Sequence, residues 1–167
     1  IARAEFTGDK SLALDAADRA HVVFTDLYSN HLVYLRQTSD GWQTWVEVVE
    51  SNSLSLALDD EDRPHIAYTN FNEDLVYATF DGEGWERTTI PMVGHGGAYN
   101  VLLLDETGAA HISTMQVRRN LYYATNRGGA WSAMPLAIQD VVGEKHALAL
   151  DADDQPHLLY HHPDRKS

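Results

Sequence analysis

An internal repeat constrains the fold of this chain more than any other feature of its sequence. The copies begin at residues 11, 55, 101 and 147 and read SLALDAADRAHVVF, SLALDDEDRPHIAY, VLLLDETGAAHIST and ALALDADDQPHLLY. Their aspartates are 44, 46 and 46 residues apart, and a histidine follows each aspartate by six residues. The four pairs are Asp15 with His21, Asp59 with His65, Asp105 with His111, and Asp151 with His157. Such a period indicates a repeat architecture in which each unit is one supersecondary element.

Each period contains four short segments with the alternation of β-strands. The first is Leu-x-Leu before the Asp, the second follows the His, the third is a Leu-x-Tyr block, and the fourth begins at Trp42, Trp85 or Trp131. Asp-rich and Gly-rich turns separate these segments, and no segment keeps helical spacing for the length of a helix. Four antiparallel strands in about 45 residues predict a blade of an all-β β-propeller. A parallel β-helix is the competing architecture, but it needs no Gly hairpin twice in each period.

The register of the repeats predicts one propeller array over residues 1–167. Complete blades span about 11–54, 55–100 and 101–146, and partial blades span 1–10 and 147–167. Residues 1–7 match an outer strand. Three copies with flanking pieces do not close a ring, so the chain is part of a larger ring, closes by association with another copy, or is a small ring without its last strands. The first two are favoured, because an open array leaves apolar blade faces in water.

Composition excludes several classes of function. The 12 Lys and Arg residues against 25 Asp and Glu give a net charge of -13, and no basic cluster offers a footprint for nucleic acid. No apolar run reaches the roughly 20 residues of a membrane span. The chain has no cysteine, which excludes a disulfide framework. Hydrophobic residues make up 44%, as in a globular protein.

The repeated residues favour structural roles. A catalytic site breaks symmetry, whereas the Asp and His recur in every copy, so we expect each His to donate to a turn carbonyl or to the Asp carboxylate. A metal needs further converging ligands, so no cofactor is expected. The Asp-rich turns offer only weak support for calcium, because they lack the glycine and glutamate of a dedicated loop. The Tyr and Trp residues are expected to pack between blades, with a repeated sugar-binding slot as the alternative.

Residues that break the repeat are the candidates for a ligand site. The segment 94–100 (GHGGAYN) enters the inner strand of the third copy, and loops 26–30, 70–74 and 116–120 join second to third strands on the same end of the blades. Loops around the axis of a propeller are the usual place for a site. The predicted ligand-binding residues are His95, Tyr99, Asn100, Arg118 and Arg119.

The repeat S-L-A-L-D-x-x-x-x-P-H-[IV]-x-Y, followed by L-x-Y-A-T and G-W, resembles propeller repeats of the sialidase-type (Asp-box) superfamily. Residues 38–45 (TSDGWQTW) are similar to an Asp-box with its Gly one place early. The resemblance implies a propeller from a secreted or surface-associated bacterial protein. A sialidase-like enzyme would need three arginines, a Tyr with its Glu partner and an acid Asp, and no position here matches them.

We therefore predict a non-enzymatic propeller that acts as a binding or scaffold module. Its candidate ligands are a carbohydrate, as for a lectin, or a protein, and no catalytic residue is assigned. The alternative is part of a glycan-active enzyme, a sialidase-like glycoside hydrolase or a polysaccharide lyase. That enzyme would have one axial site with non-repeated residues such as His95, Tyr99 and Arg118. A third alternative is an excised or engineered propeller fragment without a function of its own.

Overall fold

The computed structural model describes residues 9–26, 28–92, 96–116, 120–136 and 146–160. The strands are β1 (Lys10–Leu14), β2 (Ala20–Thr25), β3 (His31–Thr38), β4 (Gly41–Leu58), β5 (Pro64–Asn70), β6 (Leu75–Phe80), β7 (Trp85–Thr89), β8 (Gly96–Leu104), β9 (Ala110–Gln116), β10 (Leu121–Thr125), β11 (Ser132–Pro135), β12 (His146–Leu150) and β13 (Pro156–Tyr160). Within these ranges the chain contains no helix long and apolar enough to cross a membrane.

The strands form four consecutive antiparallel sheets, one for each copy of the repeat. The first sheet contains β1, β2, β3 and the first half of β4, and the second contains the rest of β4 with β5, β6 and β7. The third runs from β8 to β11, and the fourth pairs β12 with β13. The prediction of an all-β propeller array with four-stranded antiparallel blades is confirmed. The outer strand predicted at residues 1–7 lies outside the described residues.

Strand β4 belongs to two blades. Up to Glu50 it pairs with β3, and from Ser51 onward it pairs with β5. The outermost strand of the first blade thus continues as the innermost strand of the second without an intervening loop. A register shift between Asn52 and Ser55 marks the beginning of the inner segment.

The inner strands lie side by side around a common axis, β1 beside β4, β4 beside β8 and β8 beside β12. Side-chain hydroxyls join them where the strands have no ladder partner. The Leu56 amide donates to Ser11 Oγ at 3.1 Å, and the Leu102 amide donates to Ser55 Oγ at 3.0 Å. The equivalent position in the third blade is Val101, which has no hydroxyl to offer.

The hydrophobic core lies between blades. Val23 and Leu32 of the first blade pack in one cluster with Leu56 and Ile66 of the second, and a similar cluster joins the second blade to the third. Burial therefore depends on a preceding blade. Leu56 is only 7% exposed, whereas Leu12, its equivalent in the first blade, is 62% exposed.

The blades have two ends, because antiparallel strands reverse direction at every turn. We call the end with the Asp-rich turns (15–19, 59–63, 105–109 and 151–155) the turn face. We call the opposite end, with the loops 26–30 and 70–74 and the starts of the inner strands, the loop face.

Candidate functional site

A chain of three polar side chains spans each of the first three blades near the turn face. In the third blade, Asp105 Oδ1 accepts the backbone N–H groups of Thr107 and Ala109, each at 2.9 Å. His111 Nε2 lies 3.1 Å from Asp105 Oδ2, and the Tyr123 hydroxyl lies 2.6 Å from His111 Nδ1. A carboxylate only accepts, so Nε2 carries the ring proton, and the tyrosine donates to Nδ1. The six-residue spacing in the sequence suggested the Asp as a partner of the His, but the tyrosine partner was missed.

The same chain occurs in the first two blades. Asp15 to His21 is 3.4 Å and Asp59 to His65 is 3.1 Å between carboxylate Oδ2 and imidazole Nε2. The hydroxyls of Tyr34 and Tyr77 bond the other ring nitrogens. Arg19 and Arg63 add a charge-assisted bond to the same oxygens at 2.6 and 2.7 Å. In the two-stranded fourth sheet, the pair Asp151 and His157 is 2.8 Å apart but exposed.

These contacts hold the carboxylates ionised, and burial favours the neutral form of two of the histidines. Burial raises the pKa of Asp15, Asp59 and Asp105, but hydrogen bonds from turn amides and from neighbouring side chains outweigh it and lower the pKa to about 2. Burial lowers the pKa of His21 and His65 against the opposing effect of their Asp partners.

The repeated tryptophans lie where successive blades meet. The ring centroid of Tyr34 is 5.5 Å from that of Trp85 of the next blade, and Tyr77 is 4.9 Å from Trp131, both edge to face. Each internal Trp is therefore half-buried against the Tyr of the preceding blade. Trp42, in the first blade, is 40% exposed.

The loop face contains a cavity of about 350 Å³ between the inner strands. Two of the predicted ligand-binding residues, Tyr99 and Asn100, line it, while His95, Arg118 and Arg119 lie outside the described residues. The lining consists of Asp9, Lys10, Asn52, Ser53, Leu54, Ala98, Tyr99 and Asn100. The others were missed, although Asp9, Ser53 and Tyr99 occupy the same place in successive repeats, six residues before the repeated Asp.

Hydrogen bonds between blades build the cavity. The Ser53 amide donates to the Asp9 carboxylate, and the Tyr99 amide donates to Ser53 Oγ at 3.1 Å. Ser53 and Tyr99 have φ values of 53° and 58°, in the left-handed region that is uncommon for residues other than glycine. Both lie at register shifts of their inner strands, as in β-bulges, which turn a side chain out of the regular alternation. The Tyr99 side chain is left 47% exposed.

The side chain of Asn100 is held by hydrogen bonds to the strands behind the cavity and is not a free polar group facing it. Its side-chain amide donates to the Ser53 carbonyl at 2.7 Å and to Thr69 Oγ1 at 3.2 Å. Its Oδ1 accepts the hydroxyl of Thr114 at 2.6 Å, and all of these side chains but Ser53 are buried. Asn100 thereby fixes the backbone next to Tyr99.

Two further aromatic side chains stand on the loop face. Tyr28 is 85% exposed and Phe71 is 79% exposed, each on a loop that joins a second strand to a third. Sequence reasoning selected these loops but not these side chains. An aromatic residue inside a polar turn was the available signal.

The carboxyl groups with a resolved pKa shift share one direction. All Asp and Glu residues in the described ranges of the chain for which a pKa shift is resolved have the pKa lowered, most by turn hydrogen bonds. No group of three or more His, Asp or Glu residues within these ranges is arranged to hold a metal ion.

No known protein family matches the chain, and no curated protein is similar to it in sequence. A fucose lectin from Kordia zhangzhouensis, solved in complex with methyl-fucoside, has a TM-score of 0.55 and 14% identity over 75% of this chain and 97% of that chain. An engineered GH43 glycoside hydrolase with endo-xylanase and exo-arabinofuranosidase activity has a TM-score of 0.56 and 12% identity over 90% of this chain and 39% of the other. A bifunctional GH43-CE protein from Bacteroides eggerthii has a TM-score of 0.58 and 10% identity over 90% and 24%. The chain spans well under half of both GH43 proteins.

The blade order, the inner strands around an axis and these likenesses define the class of the protein as a β-propeller. Within that class its structural neighbours are lectin and GH43 proteins. Identities of 10 to 14% establish the shared fold and no closer kinship.

Proposed function

We propose that this chain is a carbohydrate-binding propeller module whose ligand lies in the loop-face cavity against Tyr99. The observation that carries the proposal is an exposed aromatic ring held on a hydrogen-bonded backbone beside polar side chains. A sugar ring presents an apolar face to an aromatic side chain and hydroxyls to donors and acceptors. Asp9 supplies the acceptor, Lys10 the donor, and Asn52 both.

The structural neighbours support a sugar as the ligand class. One of them is a fucose lectin solved with methyl-fucoside, and two are GH43 proteins, one of them with activity on xylan and arabinofuranoside linkages. Kinship with the sialidase-type superfamily and a secreted location remain part of the proposal and rest on the sequence resemblance alone.

Part of a glycan-active enzyme is the second candidate, favoured by the two GH43 likenesses. A glycoside hydrolase needs one carboxylic acid whose pKa is raised so that it can protonate the leaving group. The resolved shifts of the described carboxyls go in the opposite direction. The proposal therefore takes binding as the first candidate, and the structural neighbours include both lectin and GH43 proteins.

The test is titration calorimetry of the chain with methyl-fucoside, xylo-oligosaccharides and arabino-oligosaccharides. At least one sugar is expected to bind, and Tyr99→Ala is expected to weaken it at least tenfold. Phe71→Ala, which removes a more exposed ring outside the cavity (79% exposed against 47% for Tyr99), is the control and should bind as the wild type does. No binding to any of the three probes, or equal loss in both variants, contradicts the proposal. Release of reducing ends would establish the enzyme instead.

A further inference from the structure

The first blade presents an apolar face that has the composition of a protein interior. We call it the open face, and it is formed by Leu12, Leu14, Val22 and Trp42. Leu12 and Leu14 are 62% and 58% exposed, and Trp42 is 40% exposed. An apolar cavity of about 200 Å³ lies on it, lined by Lys10, Ser11, Leu12 and Val22.

The repeat shows what such a face contacts. The equivalents of Leu12, Val22 and Trp42 in the second blade are Leu56, Ile66 and Trp85, and all three pack in the cluster formed with the first blade. The covering blade contributes the same elements at both internal interfaces. These elements are a tyrosine ring against the Trp, a serine hydroxyl that accepts an inner-strand amide, and a small alanine between two leucines. The described part of the fourth blade supplies the last of the three, Ala149 between Leu148 and Leu150, and has Ala147 at the serine position. The open face therefore continues an established interface, and a blade of this repeat is the occupant that fits it.

The other end of the same chain carries the complementary surface uncovered. Leu159 of β13 is 74% exposed, whereas its equivalents Val23 and Ala67 are fully buried by the next blade. Ala149 of β12 is likewise exposed, while its equivalents Ala13 and Ala57 are half-buried.

The turns offer a matching polar contact. Between the first and second blades, the Ala16 amide donates to Asp62 Oδ1 at 2.9 Å. The equivalent of Asp62 beside the open face is Asp18, which has the same left-handed backbone, with φ of 58° against 60°. The equivalent of Ala16 in the fourth blade is Ala152, so a fourth blade seated on the open face brings this donor to this acceptor.

We propose that the open face binds the fourth blade of a second copy of this chain, head to tail, so that two copies cover each other's exposed blades. The contact is heterologous, because different surfaces meet, and in this proposal two such contacts close a dimer, so that larger assemblies in solution would contradict it. Lys10 lines both the loop-face cavity and the cavity on the open face, so the second copy also borders the proposed ligand site. This assembly goes beyond the proposed function and does not depend on it.

The test is the mass in solution, measured by size exclusion with light scattering. The wild-type chain is expected at twice its 18.7 kDa. Leu12→Glu and Leu159→Glu each place a charge in one of the two surfaces and are expected to yield monomers. Phe71→Glu, on the loop face, is the control and should remain a dimer. Unchanged circular dichroism shows that the variants are folded.

Mixing the two monomeric variants tests the head-to-tail geometry. The Leu12→Glu chain keeps an intact fourth blade, and the Leu159→Glu chain keeps an intact open face. An equimolar mixture is therefore expected to recover a dimer through one undamaged contact. A wild-type monomer at high micromolar concentration, a Leu159→Glu variant that stays dimeric, or a mixture that stays monomeric overturns the proposal.

Discussion

At the scale of single residues, the Asp, His and Tyr chain explains why one histidine recurs in every blade. The imidazole is the side chain that donates to a carboxylate from one nitrogen while accepting a phenol on the other. His111 is only 1% exposed. If its ring nitrogens were removed, water could not replace them as hydrogen-bond partners of the Asp and the Tyr. The fourth blade repeats the Asp and His but leaves them in water, which provides an internal control.

His111→Phe keeps the ring but removes both nitrogens. The variant leaves the Asp105 carboxylate and the Tyr123 hydroxyl without their hydrogen-bond partner. We therefore expect it to lower the free energy of unfolding by roughly 2 kcal/mol or more. His157→Phe changes the exposed pair and should cost less than about 0.5 kcal/mol. Urea denaturation measures both. Equal losses in the two variants would show that the buried chain contributes nothing special.

Acid is expected to destabilise the fold in two stages. The pKa values of His21 and His65 are lowered from 6.5 in the folded protein, so their contribution is complete above that pH and is lost as pH falls below it. The pKa values of Asp15, Asp59 and Asp105 are lowered from 3.8 to about 2, so their contribution is lost as pH falls from 3.8 toward 2. Urea midpoints should therefore fall as pH falls below 6.5, and again below about pH 4. A midpoint that is constant down to pH 3 contradicts this assignment.

Residues of the candidate site were predictable only in part. Tyr99 and Asn100 stood out because they break the repeat, and both line the loop-face cavity. The role of Asn100 was not readable from the sequence, because its contacts with Ser53 and Thr69 come from a neighbouring blade. Nothing in the sequence around Lys10 marks it as a site residue. Only the packing of adjacent inner strands places it in the cavity.

At the scale of elements, the strands follow from alternation and turn chemistry, but the way in which blades connect does not. The sequence shows one apolar run near Trp45 and another near Leu56, which suggests two strands. The structure joins them as β4, because the residues between them form no turn that reverses the chain. The hydroxyl contacts between inner strands were also missed, since a serine before Leu-x-Leu has no local signal of its function.

Ser55→Ala tests these hydroxyl contacts. The variant removes the acceptor of the Leu102 amide, so hydrogen exchange at that amide should become faster and the free energy of unfolding should fall by about 1 kcal/mol. Ser39→Ala, in an exposed turn, is the control and should change stability by less than about 0.5 kcal/mol. Unchanged protection of Leu102 would show that the hydroxyl is not its partner in solution.

At the scale of the whole molecule, protection is graded along the array. Every residue of β9 is buried, as are all but the last of β5, whereas β13 is largely exposed. A blade with neighbours on both sides opens only when an interface is lost, while an end blade opens alone.

Amides of β12 and β13 are therefore expected to exchange fastest, and those of β5 and β9 slowest, in hydrogen-exchange mass spectrometry of the monomeric Leu12→Glu variant. In the wild-type chain, the proposed dimer should increase the protection of β12 and β13 as the protein concentration rises. Exchange in β9 as fast as in β13 would contradict the graded array.

The continuity of β4 has a mechanical consequence. Its backbone is hydrogen-bonded to β3 over its first part and to β5 over its last, so a force that pulls the first blade away loads the second blade through covalent bonds. No slack segment lies between the two blades to absorb the displacement. The first two blades should therefore yield together under tension, as one stiff unit.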